Sequence, residues 1–321
     1  MTETADPTQS ELDPAIEAES DVVTTDEKPS RLRAFWEEIK GLFLLLLAVL
    51  AFHSFIAKPF YIPSISMMPN LLVGDRLVVS KYPYGWSFVS PTIPNPAAIF
   101  RWLVLRQDED ALAFMMEEKK GRVWGELPER GDIVIFTPKG SSQDWIKRVI
   151  GLPGDTIALI DGQVILNGVP VQQEVQPRLV LPVDGNNDCS EIDFPSALGK
   201  EADGTLTCSL QIVRETLPNG VSYNTIDAKQ IHHDNMAPLP IPAGYVFMMG
   251  DNRDNSSDSR FALEEGGLGG PVAWERIGGR AEIVTFSVDG STSLNPATWF
   301  SSLRGGRAGT SLRPDKVAEK K

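Results

Sequence analysis

Residues 145–168 read WIKRVIGLPGDTIALIDGQVILNG and carry the clearest indication of the fold of this 321-residue chain. Short runs of β-branched and other apolar residues alternate here with Gly, Pro, Asp and Asn. Such punctuated runs are typical of successive β-strands joined by tight turns. Similar runs occur at 73–82, 130–138 and 244–252. We therefore predict a mainly β fold with an antiparallel sheet.

An apolar run precedes these strands. Residues 41–57 read GLFLLLLAVLAFHSFIA and contain no charged side chain. This length is at the short end of what a helix needs to cross a bilayer, and residues 60–62 (FYI) extend the apolar character into the interface. The acidic segment before the run is unlike the n-region of a cleaved secretory signal. We predict an uncleaved transmembrane anchor over 41–57.

Basic residues are unequally distributed about this run. Lys28, Arg31, Arg33 and Lys40 precede it, whereas only Lys58 follows it closely. Because positive charge favours the cytoplasmic side of a membrane, we expect a cytoplasmic N-terminus. The chain after the anchor then lies outside the cytoplasm.

The net charge of −13 is concentrated near the N-terminus. Residues 1–27 hold nine Asp and Glu and no Lys or Arg. A segment so acidic and so poor in large apolar residues cannot offset the entropy of ordering, so we predict a disordered acidic tail over 1–40. The rest of the chain lacks the clustered basic face that nucleic-acid binding needs, and we predict no nucleic-acid partner.

The chain after the anchor divides by composition. We assign a main β domain to 58–160 and 245–300, and a smaller, β-rich inserted subdomain to 161–244, where Pro, Asn, Asp and Gly are frequent. A flexible tail is expected over 301–321. Residues 96–118 could form a helix, either on the membrane surface or as a cover of the core.

The two cysteines, Cys189 and Cys208, lie in the inserted subdomain. Two cysteines without a CxxC motif do not suit a structural zinc site. A disulfide requires that this region face an oxidising compartment. From the sequence, a disulfide and two unpaired thiols both remain open.

Residues 63–71 (PSISMMPNL) place two serines behind a proline, just after the apolar run. A serine hydroxyl is a poor nucleophile until a base removes its proton. His53 lies in the predicted span, and His232 and His233 lie in the irregular insertion. These positions disfavour a Ser-His-Asp triad, and no HExxH metalloprotease spacing occurs.

Lysine is the remaining candidate base, and it serves near neutral pH only when burial lowers its pKa. The period-two alternation of a strand puts Trp145, Lys147 and Val149 on one face. Arg148 is then expected on the opposite, solvent-accessible face. Alternation alone leaves open a surface strand with two solvated basic residues.

Residues 250–260 read GDNRDNSSDSR, which is typical of a hydrophilic loop. The Asp and Asn residues suggest calcium ligands, but the closing Glu at the twelfth position of a calcium loop is missing. We predict no metal and no cofactor.

Taken together, four stretches resemble the bacterial type I signal peptidases, which are Ser/Lys peptidases. The resemblance covers about residues 58–160 and 245–283, together with the anchor. The four matching stretches occur in one order, PSISMMP (63–69), GDRLVVSKYPYG (74–85), IKRVIGLPGD (146–155) and GDNRDNSSDSR (250–260). The resemblance implies a partial-barrel catalytic domain that removes N-terminal signal peptides from exported pre-proteins, cutting after small residues of the Ala-x-Ala type.

The same resemblance assigns roles to residues of the site. It implies Ser66 as nucleophile and Lys147 as general base. The hydroxyl of Ser64 and the backbone N–H of Ser66 are expected to form the oxyanion hole. Ser256 is expected to hydrogen-bond the lysine and orient it.

Further residues are implied in support and in substrate binding. Asp258 and Arg260 match an ion pair behind the site. Ile62, Asp144 and Ile146 fall where the family lines its substrate pockets.

An apolar, water-poor surface beside the membrane is expected near the site, formed by Phe60, Tyr61, Met67, Met68 and Leu71. The partners that the resemblance implies are signal peptides, membrane lipid and, by proximity, the export translocon. The expected location is the bacterial cytoplasmic membrane, with a single span and the catalytic domain on the periplasmic side.

Two other functions are disfavoured. An inactive envelope scaffold would have lost a member of the Ser/Lys set, but Ser66 and Lys147 are both present. A cytoplasmic, DNA-binding Ser/Lys autoprotease would have no anchor and would carry a basic DNA-binding segment.

Overall fold

The computed structural model describes residues 31–106, 116–118, 120–293 and 295–316. The predicted acidic tail as far as residue 30 lies outside the described residues. So does the stretch 107–115 of the predicted helix.

The N-terminal helix α1 spans Arg31–Phe55. Its segment Phe35–Phe55 has a hydropathy of 1.8 and is long and apolar enough to cross a membrane. At 1.5 Å per residue, these residues extend about 32 Å, which matches the hydrocarbon core of a bilayer. The helix begins before the predicted start at residue 41 because Leu32, Phe35 and Trp36 continue the apolar character. It ends before Ala57, where the first strand begins.

Two shorter helices and sixteen strands complete the described part of the chain. The helices are α2 (Pro96–Leu103) and α3 (Ala297–Ser301). The strands are β1 (Ala57–Tyr61), β2 (Asp75–Ser80), β3 (Ile133–Phe136), β4 (Trp145–Gly151), β5 (Thr156–Ile160), β6 (Gln163–Leu166), β7 (Val169–Pro170), β8 (Gln172–Pro182), β9 (Leu198–Lys200), β10 (Leu206–Thr216), β11 (Val221–Thr225), β12 (Met236–Pro240), β13 (Tyr245–Met249), β14 (Val272–Ala273), β15 (Ile277–Ser287) and β16 (Asp315–Lys316).

The largest sheet is antiparallel and has the order β1-β2-β15-β3-β4-β13-β14. Register shifts along β15 bend this long strand, and the sheet curls into a half-barrel. Both faces are buried, because Ile133 and Ile135 pack in one core cluster while Val134 and Phe136 pack in another. These observations confirm the predicted mainly β fold.

Two smaller antiparallel sheets come largely from the inserted region. One has the order β12-β5-β6-β7, and the other joins β16, β11, β10 and β8, with β9 beside β10. β5 begins at Thr156, so the smaller sheet takes in residues assigned to the main domain from the sequence. Cys189 and Cys208 are disulfide-bonded and buried in the inserted region, which settles the alternative that the sequence left open.

The segment 301–321, expected to be flexible, is attached to the sheets as far as Lys316. Arg307 pairs with the buried carboxylate of Asp75. Leu312 is buried in a core cluster, and β16 pairs with β11. These long-range contacts had no local signature in the sequence.

Helix α2 is shorter than the predicted helix over 96–118. Asn95 caps its N-terminus by accepting from the backbone N–H groups of Ala97 and Ala98. The chain leaves the helix after Leu103 and reaches Arg106 at a φ of 54°, a left-handed conformation that cannot continue a helix. Residues 116–118 are not helical.

Candidate active site

Ser66 lies in a short 3-10 turn, Ile65–Met67, that directly follows the edge strand β1. Its side chain is buried, and its carbonyl accepts a hydrogen bond of 3.1 Å from the backbone N–H of Asn252. Ser64, two residues earlier, is exposed, and its hydroxyl lies 3.2 Å from the hydroxyl of Ser66. The turn therefore presents two neighbouring hydroxyls at one point beside the sheet.

Lys147 lies on β4, where it is paired in register with Val134 of β3. Its ammonium nitrogen Nζ donates to Ser66 Oγ over 3.1 Å and to the carbonyl of Ile146 over 3.0 Å. Burial lowers the pKa of Lys147 to about 8, although the carboxylates of Asp258 and Asp251 act in the opposite direction. The alternative of a solvated lysine on a surface strand is thus excluded.

The expectation that Arg148 faces solvent is wrong. Its guanidinium is buried and forms a bidentate ion pair with Asp251, with both N–O distances at 2.7 Å. The ring of Tyr223, from β11 of the insertion, lies 4.2 Å from the guanidinium carbon. Strands of the insertion cover this face of the sheet, so alternation gave the correct face and the wrong environment.

Asp258 and Arg260 form the expected ion pair, with 2.9 Å between Asp258 Oδ1 and Arg260 Nε. Burial alone would raise the pKa of Asp258, but Arg260 and the backbone N–H of Gly250 hold it below its usual value. That N–H donates to Asp258 Oδ2 over 3.0 Å. The pair thereby fixes the backbone at Gly250.

The side chain of Ser256 packs against Gly250 near the serine turn. A Cβ added at Gly250 would come within 2.2 Å of Ser256 Oγ and 2.5 Å of the carbonyl oxygen of Ser66, so only glycine fits there. Ser256 Oγ is buried and has no hydrogen-bond partner among the described residues. The expected hydrogen bond to Lys147 is not formed, because Lys147 is directed to Ser66 and the Ile146 carbonyl.

An open cleft of about 280 Å³ lies over these groups. One wall follows β1, which is an edge strand of the largest sheet. The other wall is the first half of β4, which β13 pairs only from Arg148 onward. Two strand edges that have no partner strand among the described residues therefore face the cleft. The lining residues are Phe60, Pro63, Ser64, Ser66, Gln143, Asp144, Trp145, Ile146, Lys147, Asn255 and Ser257.

Of the three expected pocket residues, Asp144 and Ile146 line the cleft and Ile62 does not. Ile62 is buried in the core, because the chain leaves β1 after Tyr61 and turns inward there. Phe60 lines the cleft on this side.

The expected apolar surface is also incomplete, because Met67, Met68 and Leu71 are buried in the core. Of the five residues predicted for this surface, Phe60 is partly exposed and Tyr61 is exposed.

An ion pair that sequence reasoning missed links the insertion to the site. Arg253, within the 250–260 stretch, donates to both carboxylate oxygens of Glu215 at 2.7 and 2.5 Å. Both residues are buried, and the carbonyl of Arg253 accepts from Arg260 Nη2 over 2.6 Å. Glu215 lies on β10, far away in sequence, and has no local signature.

The site combines a serine hydroxyl, a buried lysine and two free strand edges. None of the three histidines, all of which are described, hydrogen-bonds Ser66 or Lys147; His233 Nε2 lies 3.1 Å from a carboxylate oxygen of Glu265 instead. A peptide can pair with a free strand edge through its backbone. These features place a serine hydroxyl beside a buried lysine, in a cleft that suits an extended peptide.

The sequence model of the family described as "Signal peptidase, peptidase S26" matches residues 35–286. Because the match covers most of the chain, the protein belongs to this family. It is thus a serine peptidase, a hydrolase of the signal peptidase class, and its N-terminal apolar helix fits a membrane-anchored member.

Two relatives have names that agree with this assignment. The chain is 29% identical to Signal peptidase I of Rickettsia typhi over 259 residues, which is 78% of this chain and 80% of the relative. It is 28% identical to Signal peptidase I of Rickettsia bellii over 274 residues, 83% of this chain and 76% of the relative. A crystal structure of a signal peptidase I from Enterococcus faecalis is 26% identical and matches 48% of this chain and 97% of that chain, with a TM-score of 0.24.

Proposed function

We propose that this protein removes N-terminal signal peptides from exported pre-proteins with a Ser66–Lys147 dyad and cuts after small residues. The observation that carries the proposal is the 3.1 Å contact between Lys147 Nζ and Ser66 Oγ. A lysine with a pKa of about 8 is partly neutral near neutral pH, and only the neutral amine can accept a proton.

The reaction begins when neutral Lys147 takes the proton of Ser66 Oγ, and Oγ bonds to the carbonyl carbon of the substrate. The carbonyl oxygen becomes an oxyanion, which the Ser64 hydroxyl and the Ser66 backbone N–H stabilise. Protonated Lys147 then gives its proton to the leaving amine as the peptide bond breaks. Water, deprotonated by Lys147, hydrolyses the ester and restores the serine.

Ser256 and the Asp258–Arg260 pair act as positioning residues in this proposal. Ser66 Oγ turns towards the substrate carbonyl during attack, which removes one acceptor from Lys147. The buried hydroxyl of Ser256, which has no partner among the described residues, then supplies a hydrogen bond to the lysine. Asp258 and Arg260 hold Gly250, against which Ser256 packs.

Specificity for small residues follows from the walls of the cleft. The peptide pairs with the free edges of β1 and β4, so its side chains alternate between the cleft floor and solvent. Phe60 and Ile146 narrow the floor. Larger side chains just before the cut collide with these walls, which favours substrates of the Ala-x-Ala type.

The proposed location is the bacterial cytoplasmic membrane, with the N-terminus in the cytoplasm and the catalytic domain outside. The basic residues Arg31, Arg33 and Lys40 support this orientation. The Cys189–Cys208 disulfide supports it independently, because such bonds persist in oxidising compartments. The catalytic domain would then contact membrane lipid and meet its substrates near the export translocon.

The test is cleavage of a pre-protein by the purified full-length protein in lipid vesicles. Ser66→Ala is expected to bind the pre-protein and to leave it uncut, and mass spectrometry of the wild-type product should show a small residue before the cut. Ser291→Ala, an exposed serine whose hydroxyl hydrogen-bonds Asp289, is the matched control and should cut normally. Cleavage by Ser66→Ala would overturn the proposal.

A further inference from the structure

A second, smaller cavity of about 110 Å³ adjoins the cleft, and the two share Phe60 and Asp144. Its walls come from the start of β1, the end of β2 and residues 88–92, which belong to the long segment between β2 and β3. The backbone N–H of Thr92 donates to Ser54 Oγ over 2.9 Å. This bond ties the cavity wall to the last turn of α1.

Charged groups line this cavity. Lys81 is buried, and its Nζ donates to the carbonyl of Ser90 over 2.5 Å. Lys58 Nζ pairs with Asp144 Oδ2 over 3.0 Å. Two ammonium groups and one carboxylate leave one formal positive charge in the lining, whose apolar residues include Val79, Phe88 and Ile135.

Lys81 has hydrogen-bonding capacity to spare. An ammonium carries three N–H donors, and among the described residues the carbonyl of Ser90 accepts one hydrogen bond from Lys81. Burial, together with the charge of Lys58, lowers the pKa of Lys81 to about 8, so most of the molecules still carry the charge at neutral pH. The group thus suits an acceptor, above all a carboxylate, from a bound molecule.

The residues of a bound substrate that precede the scissile bond extend from the cleft towards this cavity. A signal peptide must return to the membrane, and β1 runs from Ala57, beside the end of α1, towards Ser66. A peptide paired with β1 therefore carries its upstream residues past Phe60 and then past Lys58. Because side chains alternate with period two, the first, third and fifth residues before the cut share a face. The first and third fill the cleft, and the fifth then reaches the adjoining cavity.

We propose that the cavity around Lys81 is an upstream subsite that takes the side chain of the fifth residue before the scissile bond. It prefers an acceptor side chain, such as Glu or Gln, and disfavours Lys or Arg. This inference rests on the proposed function. The residues that set the preference are Lys81, Lys58 and Asp144.

The test compares pre-proteins that carry Glu, Gln, Ala or Lys at the fifth residue before the cut. With wild type, kcat/KM for Glu should exceed that for Lys by about tenfold, the size expected of a charged hydrogen bond. Lys81→Met should bring this ratio close to one. The control variant Lys139→Met, which removes an exposed lysine outside this cavity, should keep the wild-type ratio.

Substitutions at the fourth and sixth residues provide matched controls, because those side chains point away from the cavity. Equal effects at the fifth and sixth residues would overturn the proposal, as would an unchanged ratio in Lys81→Met. If Lys81→Met fails to fold, Asp144→Asn replaces it, and that variant should raise the preference for Glu by removing a like charge. A ratio that Asp144→Asn leaves unchanged would also overturn it.

The design separates this inference from the function on which it rests. If the proposed function fails, Ser66→Ala cuts as wild type does or no pre-protein is cut at all. If only the subsite fails, cleavage is normal and the ratio is insensitive to Lys81. Should Lys81→Met instead weaken binding to phosphatidylglycerol vesicles with the ratio unchanged, the cavity holds a lipid headgroup and the subsite proposal is wrong.

Discussion

Two lysines of this protein, Lys147 and Lys81, are each 4% exposed, and burial lowers the pKa of each to about 8. Their partners differ. Lys147 donates to the hydroxyl of Ser66, whereas Lys81 donates to the carbonyl of Ser90. A hydroxyl has a proton to give to a neutral amine, and a carbonyl has none. A lowered lysine pKa therefore makes a base available, but the neighbouring atom determines whether that base has chemistry to perform.

The largest difference between the two lysines is expected when each one is replaced in turn. Lys147→Ala should lower kcat/KM by about 10³-fold, the usual size of a general-base contribution. Lys81→Ala should lower it by a much smaller factor with a substrate that has Ala at the fifth residue before the cut. Both are measured as initial rates of pre-protein cleavage, with circular dichroism to check the fold. Similar losses of kcat/KM in the two variants would contradict the view that only Lys147 acts as a base.

The charged groups near each lysine should also differ in their contribution to stability. Arg148→Met leaves Asp251 buried and without its ion pair, which should lower the free energy of unfolding by about 3–5 kcal/mol. Lys58→Met, beside Lys81, breaks a partly exposed pair with Asp144 and should change it by at most about 1 kcal/mol. Urea unfolding measures both. Equal losses in the free energy of unfolding would mean that the ion pairs beside Lys147 and Lys81 contribute equally to stability.

Stability as a function of pH should show the two lysines behaving alike. The folded pKa of about 8 lies below the unfolded value of about 10.4, so the unfolded state binds more protons between these pH values. The free energy of unfolding should therefore rise with pH in this window, by at most about 3 kcal/mol for each lysine. Below pH 8 both states are protonated and this gain is absent.

Lys147→Met and Lys81→Met each remove one such contribution. For each variant, the free energy of unfolding of wild type minus that of the variant should therefore increase between pH 8 and pH 10. Chemical unfolding at a series of pH values measures it. If this difference does not change with pH in one of the variants, the pKa of the lysine replaced there is not lowered in the folded protein.

Activity as a function of pH should separate the lysines again. Wild-type kcat/KM should fall about tenfold per pH unit below about 8, because protonated Lys147 cannot accept the proton of Ser66. Lys81→Met should keep the same midpoint, since Lys81 does not contact the serine. If the midpoint of the pH–activity curve shifts in Lys81→Met, the titration does not belong to Lys147 alone and its assignment is wrong.

The sequence predicted the strands and the N-terminal apolar helix well, because both depend on local patterns. Alternation placed Lys147 and Arg148 on opposite faces of β4, but it could not tell what covers each face. Arg148 is buried by strands that lie more than sixty residues further along the chain, which no local pattern reports.

Two further predictions were wrong at points where a strand or a helix ends. The resemblance placed Ile62 in the substrate pocket, but β1 ends at Tyr61 and Ile62 is buried in the core. The helix predicted over 96–118 ends at Leu103, and Arg106 adopts a left-handed backbone conformation. The roles of Ser66 and Lys147 were inferred from the resemblance, since alternation alone favoured a solvated lysine on a surface strand.

The Glu215–Arg253 ion pair has a practical consequence for anyone who shortens this chain. Residues 161–244 invite deletion when a smaller catalytic fragment is wanted for crystallisation or screening. Removing them would strip Glu215 from Arg253, whose carbonyl is held by Arg260 behind the serine. A fragment that keeps the cleft but omits β10 should therefore replace Arg253 with an uncharged residue in the same step.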